Sequence, residues 1–513
     1  MDKNYYITTP IYYPSAKPHM GHAYSSIIAD FFARFKRIDG FNVHFLTGTD
    51  EHGLKMQRAA ESKNIAPLEF CDQISQTFRD LSITLNLSNT DFIRTTEDRH
   101  KKTVQYLWSE LEKNNDIYLS KYSGWYSVSD EAYYTEDEII DKDQKKVAEA
   151  SGSPVEWIEE ESYFFRLSKW QDKLLDYYQK NPDFISPKSR KNEVVNFVKG
   201  GLKDLSISRK AFSWGIKVPD NSEHVIYVWL DALTNYISAL NYPDTNDILF
   251  KKFWPASVHL IGKDILRFHA IYWPAFLMAA KIPLPNKVYS HGWILSGDEK
   301  MSKSKGNILD PIEIINTYGL DPLRYYLIKE VSFGNDGNIS QDKLEDCINS
   351  DLANNYGNLC QRVTAFAEKN CFSKVPEIKN FNEDDFIMLN KFTKNLENIR
   401  QEIDKQNINF YINFIVNALF EANKYFNDQE PWKKKNDKDR LNTIVYTSLE
   451  MIRKISIMLY PIIPDSIDKA LKIFNLNSKD INLNSIASHN WLKSGDEINK
   501  IDILFKKIDK KHD

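Results

Sequence analysis

The sequence predicts an α/β protein: a parallel-sheet domain interrupted by an inserted domain, then an all-helical region. Three observations carry this reading. Residues 5–9 form a short β-rich run. A helical pattern then starts near Met20, with Ala23, Ile27 and Phe31 spaced by four and Ile28, Phe32 and Phe35 beside them, and residues 42–46 read as a strand ending at Thr47-Gly48. Strand, loop, helix, strand is how a parallel α/β unit opens. Residues 117–134 change character, rich in Trp125, Tyr126, Tyr133 and Tyr134, and from Gln341 onward the periodicity is helical throughout.

Taken in order, Pro10, Pro14 and Pro18 punctuate the loop after the first strand, and helical patterns dominate 67–114. Residues 115–215 read as the insertion. The α/β pattern resumes at 225–229 and again at 258–262, with a helix over about 264–281. The division is therefore 1–114 and 216–296 for the two halves of the α/β domain, 297–340 for a linking segment, and 341–513 for the helical domain. Helices are expected at about 341–372, 383–404, 407–427, 437–459 and 463–473, with Pro431, Pro461 and Pro464 at the breaks.

A chain of 513 residues is too long for one core. The balance of 42% hydrophobic and 27% charged residues is that of a globular protein, and a net charge of -4 argues against a generally cationic coat while allowing a local basic groove. The four cysteines, Cys71, Cys347, Cys360 and Cys371, form no C-x-x-C pair, so neither a zinc knuckle nor a disulfide framework is signalled. The start lacks a signal-peptide pattern and no apolar run is long enough to span a bilayer; a cytoplasmic protein without a membrane segment is the expectation.

Two motifs carry chemistry. His19-Met20-Gly21-His22 lies where a loop enters a helix. Helix N-termini offer unpaired N–H groups and partial positive charge, a seat for phosphates. Gly21 lets a nucleotide approach the backbone, and the flanking imidazoles can donate to phosphate oxygens as charge develops. Far downstream, Lys300-Met301-Ser302-Lys303-Ser304 sits in a polar setting. Lysines on a closing loop can stabilise the negative charge of departing pyrophosphate, and the serines can hydrogen-bond its oxygens. Taken alone, the first motif also suits two surface histidines capping a helix, and the second a solvated charge run.

Together they resemble the HIGH and KMSKS elements of class I aminoacyl-tRNA synthetases, and the resemblance to the methionyl-tRNA synthetases extends over nearly the whole chain. It implies a Rossmann-like nucleotide-binding catalytic domain, an inserted connective domain and an anticodon-binding helical bundle. The implied reaction joins L-methionine to tRNA(Met) through methionyl-adenylate, using ATP with Mg²⁺. The resemblance assigns His19, His22, Lys300 and Lys303 to catalysis, and Gly21, Gly262, Asp264, Lys300, Ser302 and Lys303 to ATP. It places Ile11, Tyr13, Trp229, Tyr236, Ile265, Phe268 and His269 around the methionine side chain, with the Tyr236 hydroxyl near sulfur, and Asp50 on the α-ammonium. Leu233 departs from the proline that some members carry. Aromatic rings suit a flexible thioether, and shape must reject leucine and isoleucine because a methylene is worth only ~1–3 kcal/mol in such a pocket.

Many members carry zinc through cysteine pairs in the insertion. Here residues 122–130 have serine and aspartate instead, so no structural zinc and no other metal site is expected. In the helical region Asn358 and Arg362 lie four apart on one helix face, and Trp432 follows Pro431. All three match anticodon-reading positions of the family; an aromatic platform and polar edge suit unstacked bases. The chain ends without a further module, so a monomer is expected. The competing readings are another class I synthetase, a nucleotidyltransferase, and a non-catalytic tRNA-binding protein.

Overall fold

A computed structural model describes residues 3–14, 17–142, 145–296, 299–300, 310–487 and 492–509, with backbone alone at 296, 299 and 300. The chain forms two compact units. One is Asn4–Ala29 with Val43–His291; the other is built mainly from Asp30–Asn42 and Gly292–Asp513.

The first unit is organised on a six-stranded sheet. Strand β1 (Asn4–Thr8) leads to helix α1 (Met20–Ile38), then to strands β2 (Asn42–Thr49) and β3 (Asp91–Arg94). The order across the sheet is β3, β2, β1, Val258–Gly262, Val288–His291, Ile185–Ser186. β2 runs parallel to β3, β1 to Val258–Gly262, and Val288–His291 to both of its neighbours. The last four residues of β1, the last six of β2 and the first four of Val258–Gly262 are all buried, as strands covered on both faces must be. The chain steps outward from β1 to β2 to β3 and later returns on the other side of β1. The strand order therefore reverses between β1 and Val258–Gly262, and such a reversal opens a crevice at the carboxyl ends of the strands.

Several expectations need correction. The four-residue strand β3 lies inside the stretch read as helical; two buried apolar residues between helices are too short for a period-2 signal. Residues 225–229 do not form a strand of the parallel sheet. Asn221–Ile226 pairs antiparallel in a separate three-stranded sheet, and Val228–Leu233 is already a helix. The helix expected at 264–281 is a composite, with a 3₁₀ turn at Lys263–Ile265, a π segment at Phe268–Tyr272 and an α-helix at Trp273–Ala279. The stretch read as an insertion also supplies Ile185–Ser186 to the edge of the parallel sheet.

Within that stretch, Ile117–Ser127 pairs antiparallel with Glu156–Phe165 in a four-stranded sheet. Its rings pack closely: Tyr122 and Tyr126 lie 4.6 and 5.1 Å from Tyr133, and Trp125 lies 5.2 Å from Trp157.

The second unit is mostly helical, with Gln341–Cys347, Asn358–Cys371, Glu383–Asp404, Ile408–Asp428, Lys438–Leu459 and Pro464–Leu471. Only the first expected helix differs, because a π segment, Ile348–Gly357, separates its two α parts. In this unit Asp30 is fully buried between two arginines. Arg34 Nε donates to it at 2.7 Å and Arg324 Nη2 at 2.6 Å, while Arg324 Nε donates to the Ile462 carbonyl at 2.8 Å. Removing one partner of such a group strands the others. Asp30→Ala is therefore expected to cost about 3–5 kcal/mol, seen as an earlier transition for this unit in a thermal melt.

Candidate active site

Four strands of the first unit end at one edge, and each end carries a candidate residue. β1 runs into Ile11, Tyr13 and His19; β2 runs into Asp50; Val258–Gly262 ends at Gly262, followed by Asp264 and Ile265; Val288–His291 ends at His291.

The start of α1 is shaped around two imidazoles. The Gly21 N–H donates to His19 Nδ1 at 3.1 Å and the His19 N–H donates to His22 Nδ1 at 3.1 Å. Both Nδ1 atoms thus accept, which puts the ring proton of each neutral imidazole on Nε2. The rings lie 3.8 Å apart. A Cβ at Gly21 would come within 2.9 Å of the His19 ring, so only glycine lets that ring settle here. Burial, and then the neighbouring His19, hold the His22 imidazole well below the usual histidine range.

Asp50 is the most constrained group. It is 7% exposed, and its Oδ1 has no hydrogen-bond partner among the described residues. Burial, followed by the nearby charges of Asp231, Glu131 and Glu51, pushes its carboxyl well above the usual range. Those neighbours are all satisfied. Glu51 receives Arg94 Nε at 2.7 Å and Nη2 at 3.0 Å. Asp231 lies 2.7 Å from both His52 Nδ1 and His100 Nε2. Burial alone would raise the Asp231 carboxyl, but the two histidines outweigh it and hold it below its ordinary value. Glu131 accepts from the Tyr126 hydroxyl and from the Lys55 N–H at 3.0 Å, and the Tyr13 hydroxyl oxygen lies 3.2 Å away. The site therefore presents one buried carboxyl oxygen, without a partner among the described residues, to whatever cation enters.

Beside it is an aromatic wall. Ile11, Tyr13, Trp229, Ile265 and Phe268 are half-buried and pack on one core cluster. Trp229 and Phe268 stack with centroids 3.7 Å apart and planes at 4°. Tyr236 and His269, also expected in the wall, are almost wholly buried. His269 Nδ1 lies 3.0 Å from the Ile265 carbonyl oxygen, so it must donate there; Nε2 then accepts from the Tyr236 hydroxyl at 2.7 Å. Burial pushes His269 down to about 4, so the ring stays neutral and that hydroxyl proton is committed. A group reaching Tyr236 meets oxygen lone pairs unless it displaces this bond.

Gly262 is also crowded. A Cβ there would lie 2.7 Å from Asp264 Oδ1 and 4.0 Å from the His291 ring. His291 Nε2 lies 2.8 Å from the Ser25 hydroxyl of α1. His291, His52, His100 and Glu131 were not legible as site residues, since their partners lie far away in sequence. Sequence reasoning likewise gave Asp231 no role. Ser302 and Lys303 lie outside the described residues, as does the Lys300 side chain.

The second unit holds the other three candidates. Asn358 and Arg362 stand one turn apart at the start of Asn358–Cys371. Arg362 Nη2 donates to Asn427 Oδ1 at 2.6 Å and its guanidinium lies 5.5 Å from the Phe426 ring centre. Phe426 meets Trp432 edge-on at 6.2 Å, and Trp432 is 41% exposed. Among the described residues, no group of three or more His, Cys, Asp or Glu side chains is arranged to hold a metal, and no helix is long and apolar enough to cross a membrane.

Comparison with known proteins agrees along the whole chain. The family described as tRNA synthetases class I (M) matches residues 5–364, and the anticodon binding domain of methionyl tRNA ligase matches residues 375–513. A methionine–tRNA ligase of Brucella melitensis is 52% identical over 92% of each chain, and one of Rickettsia conorii is 50% identical over 99% of this chain and all of that one. A solved structure, Mycobacterium tuberculosis methionyl-tRNA synthetase in complex with methionyl-adenylate, superposes with a TM-score of 0.96 at 44% identity, covering 98% of this chain and 99% of that one. With these matches spanning both units, the chain belongs to the class I tRNA synthetases and, within them, to the methionine–tRNA ligase family.

Proposed function

We propose that this chain activates L-methionine with ATP, giving methionyl-adenylate and pyrophosphate, and passes the methionyl group to the 3′-terminal adenosine of tRNA(Met). The observation that carries the site assignment is the unpartnered Asp50 Oδ1, buried among satisfied acids beside the Trp229–Phe268 stack. The methionine α-ammonium supplies the missing cation. Ile11, Tyr13, Trp229, Ile265 and Phe268 receive the thioether side chain, backed by the Tyr236–His269 pair. The substrate carboxylate then attacks the ATP α-phosphorus, and the P–O bond to pyrophosphate breaks. Gly21, Gly262 and Asp264 seat the nucleotide, which arrives with Mg²⁺ on its phosphates. His19 and His22 donate to phosphate oxygens as charge builds, and Lys300, Ser302 and Lys303 stabilise the departing pyrophosphate. Positioning and electrostatics dominate this mechanism.

Asn358, Arg362 and Trp432 read the anticodon in the helical domain of 341–513, with 115–215 as the connective insertion. A cytoplasmic monomer without structural zinc completes the reading.

Three variants test it. Asp50→Asn should raise KM for methionine about a hundredfold or more, because a buried ion pair is lost. The same change should stabilise the protein. A carboxyl whose folded pKa is raised makes folding less favourable as pH rises through the unfolded value, so removing the ionisable group should raise Tm at neutral pH. An unchanged KM would refute the assignment. Lys303→Ala should slow adenylate formation in single-turnover experiments by about a hundredfold while methionine Kd stays within a few-fold; the reverse pattern would contradict its role. Trp432→Ala should cripple tRNA charging but leave methionine-dependent ATP–pyrophosphate exchange nearly intact, since no tRNA takes part in the exchange. Equal loss in both assays would exclude base recognition by Trp432.

A further inference from the structure

We propose that Asp385 and Arg440 are positioning residues for tRNA recognition, which together with Gln429 hold the turn that presents Trp432. The inference rests on the reading of Trp432 as a base platform. The turn leaves the helix Ile408–Asp428 at Gln429 and passes through Glu430 at φ 45° and ψ 56°, a left-handed conformation that side chains rarely adopt. It then reaches buried Pro431 and the exposed indole of Trp432, whose contact with Phe426 is edge-on. A strained turn carrying an exposed ring needs support from outside itself.

Arg440 supplies that support. It stands in the first turn of Lys438–Leu459, where its N–H donates to the capping Asp437 carboxylate at 3.1 Å. Its guanidinium donates to both oxygens of Asp385, at 2.5 and 3.1 Å, and Nη2 also donates to Gln429 Oε1 at 2.5 Å. Gln429 Nε2 in turn donates to Asp384 Oδ2 at 2.8 Å. Asp385 is fully buried, caps Glu383–Asp404 reciprocally with Asn382, and also accepts from the Tyr425 hydroxyl in the last turn of Ile408–Asp428. One carboxylate and one guanidinium thus fasten three helices around the turn, and Gln429 is the tie between that knot and Trp432. A planar fork is needed to reach Asp385 and Gln429 together; a lysine would keep the charge and lose the geometry.

The test uses Gln429→Ala, which removes the tie and spares the carboxylate–guanidinium pair, and Arg440→Lys, which removes the fork. Charging kinetics at varied tRNA(Met) are measured beside methionine-dependent pyrophosphate exchange. Fluorine NMR of 5-fluorotryptophan-labelled protein, with the Trp432 resonance assigned through Trp432→Phe, reads the ring's position directly. Both variants are expected to raise KM for tRNA about tenfold, the size of a lost charge-assisted hydrogen bond, with kcat and exchange within about twofold of the parent and a shifted Trp432 resonance. If Arg440→Lys fails to fold, Gln429→Ala decides alone. A parental KM in Gln429→Ala beside a weakened Trp432→Ala overturns the brace and leaves the base-platform reading standing. A parental KM in Trp432→Ala overturns that reading and the proposal with it. Exchange falling in step with charging in Gln429→Ala marks a general loss of fold and overturns the proposal.

Discussion

Four acids crowd the carboxyl end of β2, and only one of them lacks a counterpart. Glu51 has Arg94, Asp231 has two histidines, and Glu131 has the Tyr126 hydroxyl and a backbone N–H. Asp50 keeps an oxygen with no partner among the described residues. A buried, unpaired carboxylate is costly. The fold tolerates it because each of the three surrounding acids is held by its own hydrogen-bond partners, which leaves Asp50 as the one of the four with an unmet oxygen. The elevated carboxyl lowers that cost, because burial among neighbouring acids favours the protonated form.

Asp231 also does mechanical work. It belongs to the short helix Val228–Leu233 that carries Trp229, whereas His52 follows Asp50 directly after β2 and His100 lies near the start of Asp98–Lys113. Of the two charge-assisted bonds at 2.7 Å, the one from His52 fixes the Trp229 helix against the Asp50 loop and the one from His100 fixes it against Asp98–Lys113, and the His100 ring continues to Ser238 at 2.8 Å. The Tyr13 hydroxyl donates to the His52 carbonyl at 2.7 Å and draws the β1 loop into the same knot. The spacing between the Asp50 carboxyl and the aromatic wall is thus set by buried polar bonds, while the wall itself stays half-buried.

Sequence reading reached the parts of this design that are local. The apolar stripe of α1 and the helices Glu383–Asp404, Ile408–Asp428 and Lys438–Leu459 were legible because periodicity and prolines mark them. The place of His19–His22 where a loop enters α1 was legible because such an entry has its own signature. What escaped notice depends on distance. His52 and Asp231 are 179 residues apart, His100 and Asp231 are 131 apart, and Tyr13 and Glu131 are 118 apart. No window along the chain contains such pairs. Burial depth escaped for a related reason: Tyr236 and Trp229 are both aromatic residues of one block, yet one is closed behind His269 and the other is half-buried beside Phe268.

The histidines at the start of α1 follow a complementary logic. Cationic imidazoles would bind the triphosphate strongly before any chemistry occurred, and interactions equal in the ground and transition states do not speed the chemical step. Their setting opposes that outcome. The rings sit 3.8 Å apart, so protonating one raises the cost of protonating the other, and burial holds His22 neutral. Each Nδ1 is occupied by a backbone N–H, which commits Nε2–H as donor. A neutral donor gains little from an oxygen already bearing its resting charge and more as that charge grows. In the proposed mechanism the same N–H groups that hold the rings decide when the rings act, which gives the glycine at 21 a part in that chemistry as well as in packing.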